Sequence, residues 1–197
     1  MNIKGDILLA AILAAAVCLS QGHASAQAIE VPMHRVDETG IHELIGIVTV
    51  AASPDGVTFT PALEGLPPGP HGFHVHARPS CEPAMDPDKV SGSAAFAAGP
   101  HLDPDGTKRH RGPREEGHLG DLPALEVDSR GMATAAVLAP RLKMRDLNGH
   151  ALIIHQGADS YSDEPEKLGG GGEPIACGII KVIATTQDEA GQILSSR

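Results

Sequence analysis

Two histidines flank a single valine at His74-Val75-His76, and five further donors follow along the chain: His101, His110, His118, Asp121 and His155. If these residues act together, points far apart in sequence must converge, and that requirement constrains the fold more than any other feature. In an extended strand side chains alternate between faces, so His74 and His76 point one way while Val75 points the other, into a core. A strand thus presents two imidazoles side by side. His155 ends the apolar run 151–154 and belongs to another strand, whereas His101, His110, His118 and Asp121 sit among Gly, Pro, Asp and Lys, in a long loop. Six imidazoles and one carboxylate supply four donors to each of two ions only if one residue is shared, and His101, central in the series, is the candidate. Four imidazoles without a thiolate suit copper, and three imidazoles with a carboxylate suit tetrahedral zinc. The pattern predicts a dinuclear metal site.

A strand-built core agrees with the rest of the chain. One Tyr, three Phe and no Trp leave the interior to Val, Ile, Leu and Ala, while 23 Gly and 16 Pro call for many turns between short strands. Residues 45–51 and 57–63 flank Ser53-Pro54-Asp55-Gly56 as a hairpin, and 125–127 and 132–138 flank Asp128-Ser129-Arg130-Gly131 as a second. Residues 151–155 and 176–184 read as the last strands. No strand is expected between Cys81 and Leu122, a stretch that is long for a structureless loop unless metal or a disulfide orders it. Residues 27–39 have no clear periodicity and read as an arm. The expected fold is all-β: an antiparallel Greek-key β-sandwich or flattened barrel with long metal-binding and electrostatic loops.

The N-terminus carries Lys4, an apolar stretch over 7–19 and the small-residue pattern Ala24-Ser25-Ala26, with Ala26-Gln27-Ala28 as a second cleavage pattern. This reads as a secretory signal peptide. About a dozen apolar residues fall short of the roughly 20 a membrane span needs, so no stable membrane anchor is expected. Bulky Val17 before Cys18 argues against a lipoprotein. The expected organisation is a signal peptide at 1–26, an arm at 27–40, one domain at 41–188 and a tail at 189–197, in a periplasmic or secreted protein. After processing two cysteines remain, Cys81 and Cys177, an even count in an exported chain that predicts one disulfide. A formal net charge of -10 argues against nucleic acid as a partner.

Taken in order, Gly72-Phe73-His74-Val75-His76, Gly99-Pro100-His101, Gly117-His118-Leu119-Gly120-Asp121 and Ala176-Cys177-Gly178-Ile179-Ile180 resemble the copper/zinc superoxide dismutase family in its exported bacterial form, over roughly residues 45–184. The resemblance implies copper ligands His74, His76, His101 and His155, and zinc ligands His101, His110, His118 and Asp121, with His101 as the bridge. It implies a further carboxylate, Asp159, accepting hydrogen bonds from one histidine of each set, with Asp163 as the runner-up. The implied substrate is superoxide, converted to oxygen and hydrogen peroxide by alternating reduction and oxidation of copper. In that picture His101 leaves copper on reduction and carries a proton, while zinc has no redox role. Both a monomer and a homodimer stay open.

One departure from the family is plain. Three residues before the last cysteine the family usually has an arginine beside copper; here that place is Pro174, preceded by Glu173. The substrate is an anion and the whole-chain field is negative, so local cations must compensate. Arg78, Lys89, Lys108, Arg109, Arg111 and Lys167 are the candidates, and Arg78, just past the His74-Val75-His76 strand, is placed to substitute in part. The expectation is a dismutase slowed by the missing arginine; the alternative is an exported copper and zinc binding protein without significant turnover. His23, His34, His42 and His150 read as ordinary histidines. His71 reads as a structural hydrogen-bonder facing away from His74, and the run Gly169 to Gly172, which lacks the Lys-Ser/Thr ending of a phosphate cradle, as a tight loop beside the metals.

Overall fold

The computed structural model describes residues 28–87, 92–165, 169, 171–182, 186–187 and 193–194. The expected signal peptide, Lys89, Lys167, Gly170 and most of the C-terminal tail lie outside them. Eleven strands carry the fold: β1 (Ile29–Asp37), β2 (Gly40–Ser53), β3 (Gly56–Leu63), β4 (Gly69–His71), β5 (Phe73–His76), β6 (Ala84–Met85), β7 (Gly92–Ser93), β8 (Leu125–Val127), β9 (Val137–Ala139), β10 (His150–His155) and β11 (Pro174–Ile180). Seven form one curled antiparallel sheet in the order β5-β10-β11-β1-β2-β3-β9, and two-stranded ladders join β4 to β8 and β6 to β7. The last long strand lies beside the first in mid-sheet, consistent with the expected Greek-key sandwich. Beyond β11, Thr186–Gln187 and Ile193–Leu194 pair as a small separate ladder.

Alternation builds the core. In β3, Val57, Phe59 and Leu63 point inward, and in β1 Ile29, Val31 and Met33 do the same. They meet Val48, Val50, Phe73, Val75, Leu125, Leu152 and Ile154 in one cluster, where the Phe59 and Phe73 rings pack edge to face at 5.7 Å. Each fully buried side chain of this kind stabilises the fold by about 1.5–3 kcal/mol. A smaller cluster on the other face of β10 and β11 joins Ala151, Ile153 and Cys177 to Cys81, Ala94, Ala95 and Ala98.

Several elements differ from expectation. Residues 29–37, expected as arm, form β1 in the interior of the sheet, hydrogen-bonded to β2 and β11. Register shifts on either side of His34 break its alternation after Met33 and resume it at Val36, which hides the period. The stretch expected to lack strands contains β6 and β7. Strand β9 is shorter than the expected 132–138, with Ala133 contributing an isolated bridge to Leu63, and β11 starts at Pro174 and ends at Ile180.

Cys81 and Cys177 form the expected disulfide, S–S 2.01 Å, which ties the loop after β5 to β11. A disulfide is consistent with an oxidising, non-cytoplasmic compartment. No helix among the described residues is long and apolar enough to cross a membrane.

Strand β5 positions the site. One of its edges pairs with β10, setting His74 opposite Ile153 and His76 opposite Ala151. The other is taken by the long loop: Val75 N–H donates to Gly120 O at 2.9 Å, and Leu102 and Leu122 donate to Val75 O and Phe73 O at 2.8 and 3.2 Å. Isolated bridges then set His74 beside Asp121 and His76 beside His101. Backbone pairing alone thus gathers four of the seven predicted donors on the outer face of β5.

Candidate metal centre

All seven predicted donors converge, and each is at least nine-tenths buried. His74, His76, His101 and His155 each offer a nitrogen within 4.8 Å of the others. Hydrogen bonds decide which nitrogen that is. His76 Nδ1 donates to Gly99 O at 2.7 Å and His155 Nδ1 to Gly172 O at 2.9 Å, while His74 Nε2 donates to Asp159 Oδ2 at 2.6 Å. A neutral imidazole that has given its proton on one side keeps a lone pair on the other. The opposite atoms, His76 Nε2, His155 Nε2 and His74 Nδ1, are buried with no hydrogen-bond partner. Bare nitrogens of this kind cost free energy in a dry interior unless something binds them.

Asp121 organises the second set. Its Oδ2 accepts from the backbone N–H groups of Arg111 and Gly112 at 3.2 and 3.3 Å. Its Oδ1 lies 3.0 Å from Nδ1 of His101, 3.0 Å from Nδ1 of His110 and 3.4 Å from Nδ1 of His118. Donors each about 2.0–2.1 Å from a tetrahedral zinc stand about 3.3 Å apart, so these separations fit such an ion. His110 Nε2 donates to Asp159 Oδ1 at 2.7 Å, and its Nδ1, like His118 Nδ1, has no satisfied hydrogen bond. By proximity alone His74 also falls within 4.8 Å of His101, His110 and Asp121. Its bare nitrogen faces the other set, however, because its Nε2 is committed to Asp159. His101 is common to both sets.

Burial dominates the electrostatics. It pushes the His74 imidazole down to about 4 and those of His101 and His155 to about 3, with His76 also well below the usual histidine value. His110 goes the other way. Burial opposes its charge, but the Asp121 and Asp159 carboxylates beside its two ring nitrogens raise it to about 9. Against the same burial, histidine hydrogen bonds hold both carboxylates below the usual range. Neutral imidazoles and ionised carboxylates are the forms a metal needs, so a metal at His110 must displace its proton.

Asp159 takes the bridging place between the two rings; Asp163, the runner-up, instead accepts from the backbone N–H of His110 at 3.0 Å. His71 faces away as expected, with Nδ1 2.7 Å from His155 O and Nε2 2.7 Å from Pro67 O. Three further residues support the site, of which the sequence marked only Gly169, in the glycine run read as a tight loop beside the metals. Arg141 donates to Gly117 O and His118 O at 2.9 and 3.2 Å, holding the loop that carries His118. Tyr161 packs beside His110. Gly169 covers the Asp159–His110 bond so closely that a Cβ there would collide with Asp159 Oδ1.

Of the candidate steering cations, Arg78 donates from Nε to Ala97 O at 2.7 Å, and its guanidinium lies over Gly99, whose carbonyl orients His76. Lys108, Arg109 and Arg111 are exposed on the loop that carries His110 and His118. Pro174 stands opposite His155 in the β10–β11 ladder. The Glu173 carboxylate accepts from Ser93 Oγ at 2.6 Å.

Residues 44–180 match the family described as copper/zinc superoxide dismutase (SODC). The chain belongs to that family. It is 52% identical over 159 residues to the superoxide dismutase [Cu-Zn] of Escherichia coli (strain K12), covering 80% of this chain and 91% of that one. The solved copper/zinc superoxide dismutase from Brucella abortus superposes with a TM-score of 0.76 at 42% identity, over 79% of this chain and all of that one. The solution structure of the monomeric copper, zinc enzyme from Salmonella enterica gives 0.70 at 49% identity with the same coverage. With this membership and its two donor clusters, the chain binds copper and zinc.

Proposed function

We propose that His74, His76, His101 and His155 hold copper, that His101, His110, His118 and Asp121 hold zinc, and that this pair makes the chain a superoxide dismutase. Five buried, unpartnered imidazole nitrogens, each with its second nitrogen or its neighbouring carboxylate arranged around it, carry the assignment. Bound there, copper supplies a one-electron cycle that oxidises one superoxide to oxygen and reduces a second, with two protons, to hydrogen peroxide, while zinc, which has no redox chemistry, fixes the geometry.

The protein's own groups do the rest. Gly99 O, Gly172 O and Asp159 fix the tautomers of His76, His155 and His74, so the free lone pairs point inward before any metal arrives. His101, with Nδ1 beside Asp121 and its ring against those of His74 and His76, is positioned to bridge the sets. His76 and His155 keep a slightly exposed edge, 7% and 9%, whereas His74 and His110 are wholly enclosed, so a small anion reaches the copper set from the His76 and His155 side. Both clusters come from one chain, so neither donor set draws on a second copy. The apolar leader and the disulfide support export to the periplasm or medium.

Pulse radiolysis of superoxide on the processed chain, carrying one copper and one zinc, tests this. Fast, copper-dependent and cyanide-sensitive disappearance is expected. Loss no faster than in buffer at full occupancy would leave an exported metal-binding protein.

A further inference from the structure

Tyr161 is the one tyrosine of the chain, two residues past Asp159 in the loop between β10 and β11, and its φ is 53°. A bulky residue in left-handed backbone costs about 1–3 kcal/mol and persists only where its surroundings over-determine it. Four contacts do so. Its backbone N–H donates to Asp159 Oδ1 at 2.7 Å. Its hydroxyl accepts from the backbone N–H of Ala124 at 2.7 Å. Its ring lies nearly parallel to that of His110, centroids 6.3 Å apart at 27°. The same ring covers Gly112, where a Cβ would stand only 2.9 Å from Cγ and Cδ1.

These contacts reach three separate pieces of chain: the zinc-side loop at 110–112, the segment entering β8 at Ala124, and Asp159 itself. Asp159 Oδ1 accepts from both Tyr161 N–H and His110 Nε2, while Oδ2 accepts from His74 Nε2. Whatever fixes Oδ1 therefore fixes the rotation of the whole carboxylate. That rotation decides whether His74 and His110 keep their N–H groups toward Asp159 and their bare nitrogens toward the metals. Relaxing Tyr161 to an ordinary φ would withdraw its N–H from Oδ1 and lift the ring from His110.

We infer that Tyr161 is a positioning residue for both metals: by bracing Asp159 and His110 it sets the zinc-side donors and, through Asp159, the orientation of His74 on the copper side. The inference rests on the metal assignment proposed above. It goes further in giving an aromatic residue that touches no metal ligand through a hydrogen bond a role at two metal sites at once.

The test compares the processed parent chain with Tyr161→Leu and Tyr161→Phe. Zinc affinity is read by chelator competition on the metal-free proteins, and the Cu(II) electron paramagnetic resonance spectrum after loading with both metals. Tyr161→Leu is expected to weaken zinc about 10–100-fold, the usual cost of losing an outer partner of a metal ligand, and to change the Cu(II) spectrum. Tyr161→Phe, which retains the ring, should return both toward the parent. If Tyr161→Leu does not fold, Tyr161→Met, which keeps apolar bulk but no ring, is expected to give the same two changes. Variants that only melt earlier, with zinc affinity and Cu(II) spectrum unchanged, would overturn the inference. A parent chain that takes up no zinc would sink the metal assignment and this inference with it.

Discussion

His74 Nε2 donates to Asp159 Oδ2 at 2.6 Å, and both side chains are almost wholly buried. Because Asp159 also accepts from His110, one carboxylate fixes a ring in each donor set. Asp159→Asn keeps the size but replaces one acceptor oxygen by an N–H pair. The imidazole facing that pair must then move its proton to the inner nitrogen, which stops being a ligand. The expected result is about a 10–100-fold loss of affinity at the metal whose histidine is turned, and slower superoxide removal. Competition with chelators for each metal checks it; unchanged affinity for both would exclude the orienting role.

Without metals, stability should peak at about pH 7, where the proton counts of the folded and unfolded chain balance. His74, His101 and His155 titrate in the fold at about 4, 3 and 3, below their ordinary 6.5. As pH falls below 6.5 the unfolded chain binds protons that the folded chain refuses, so stability is lost, by about 1.4 kcal/mol per pH unit for each unmatched proton. His110 has the opposite sign: its folded value of about 9 gives stability that is fully present below 6.5 and lost as pH rises through 9. The depressed Asp121 and Asp159 add stability present above the ordinary carboxylate value and lost on further acidification. Urea melts of metal-free protein should show a steep acid limb and a shallow alkaline one. Greater stability at pH 4.5 than at 6.5 would contradict the buried-neutral reading of these histidines.

Reducing the disulfide should loosen the copper side before the main core. The bond closes a loop spanning 96 residues and, in the loop-entropy account, stabilises by about 4–5 kcal/mol. The segment it anchors runs through Ala95 and Ala98 to Gly99, the acceptor for His76. Paired Cys81→Ser and Cys177→Ser substitutions are expected to lower the melting temperature and raise hydrogen exchange at His76 and Gly99 ahead of β2 and β3. Exchange rising first in β2 and β3 would place the anchor elsewhere.

The donors were legible because metal chemistry restricts residue type and strand geometry restricts spacing. His74 and His76 show their shared face in the sequence, and Val75 lies in the core as alternation demands. What stayed hidden depends on contacts that no local pattern encodes. The two bulges around His34 disguised β1. Arg141 sits between Pro140 and the core residue Leu142, and Tyr161 between Ser160 and Ser162; nothing in either setting marks a site residue, and only the folded chain sets them against Gly117 and Gly112. Asp159 was reached through resemblance; its distance in sequence from His74 carries no periodic signal.

A superoxide anion must reach the copper set on a chain of formal net charge -10. Pro174 pairs across the ladder with His155 and has no charge to offer. Arg78 has its Nε held by Ala97 O and its guanidinium over Gly99, the acceptor for His76. It forms no ion pair among the described residues, so its charge stays available beside the copper set. Local cations steer small anions by about tenfold or more at low ionic strength, and salt screens the effect beyond about 10 Å at 0.1 M. Arg78→Gln should therefore slow superoxide removal severalfold at low salt and flatten its salt dependence. Pro174→Arg should speed removal by about tenfold at low salt, with the gain shrinking as salt rises. Pulse radiolysis across a salt series reads both. A Pro174→Arg chain no faster than its parent at low salt would mean that encounter is not limited by missing positive charge, and an Arg78→Gln chain with unchanged salt dependence would remove Arg78 from the approach path.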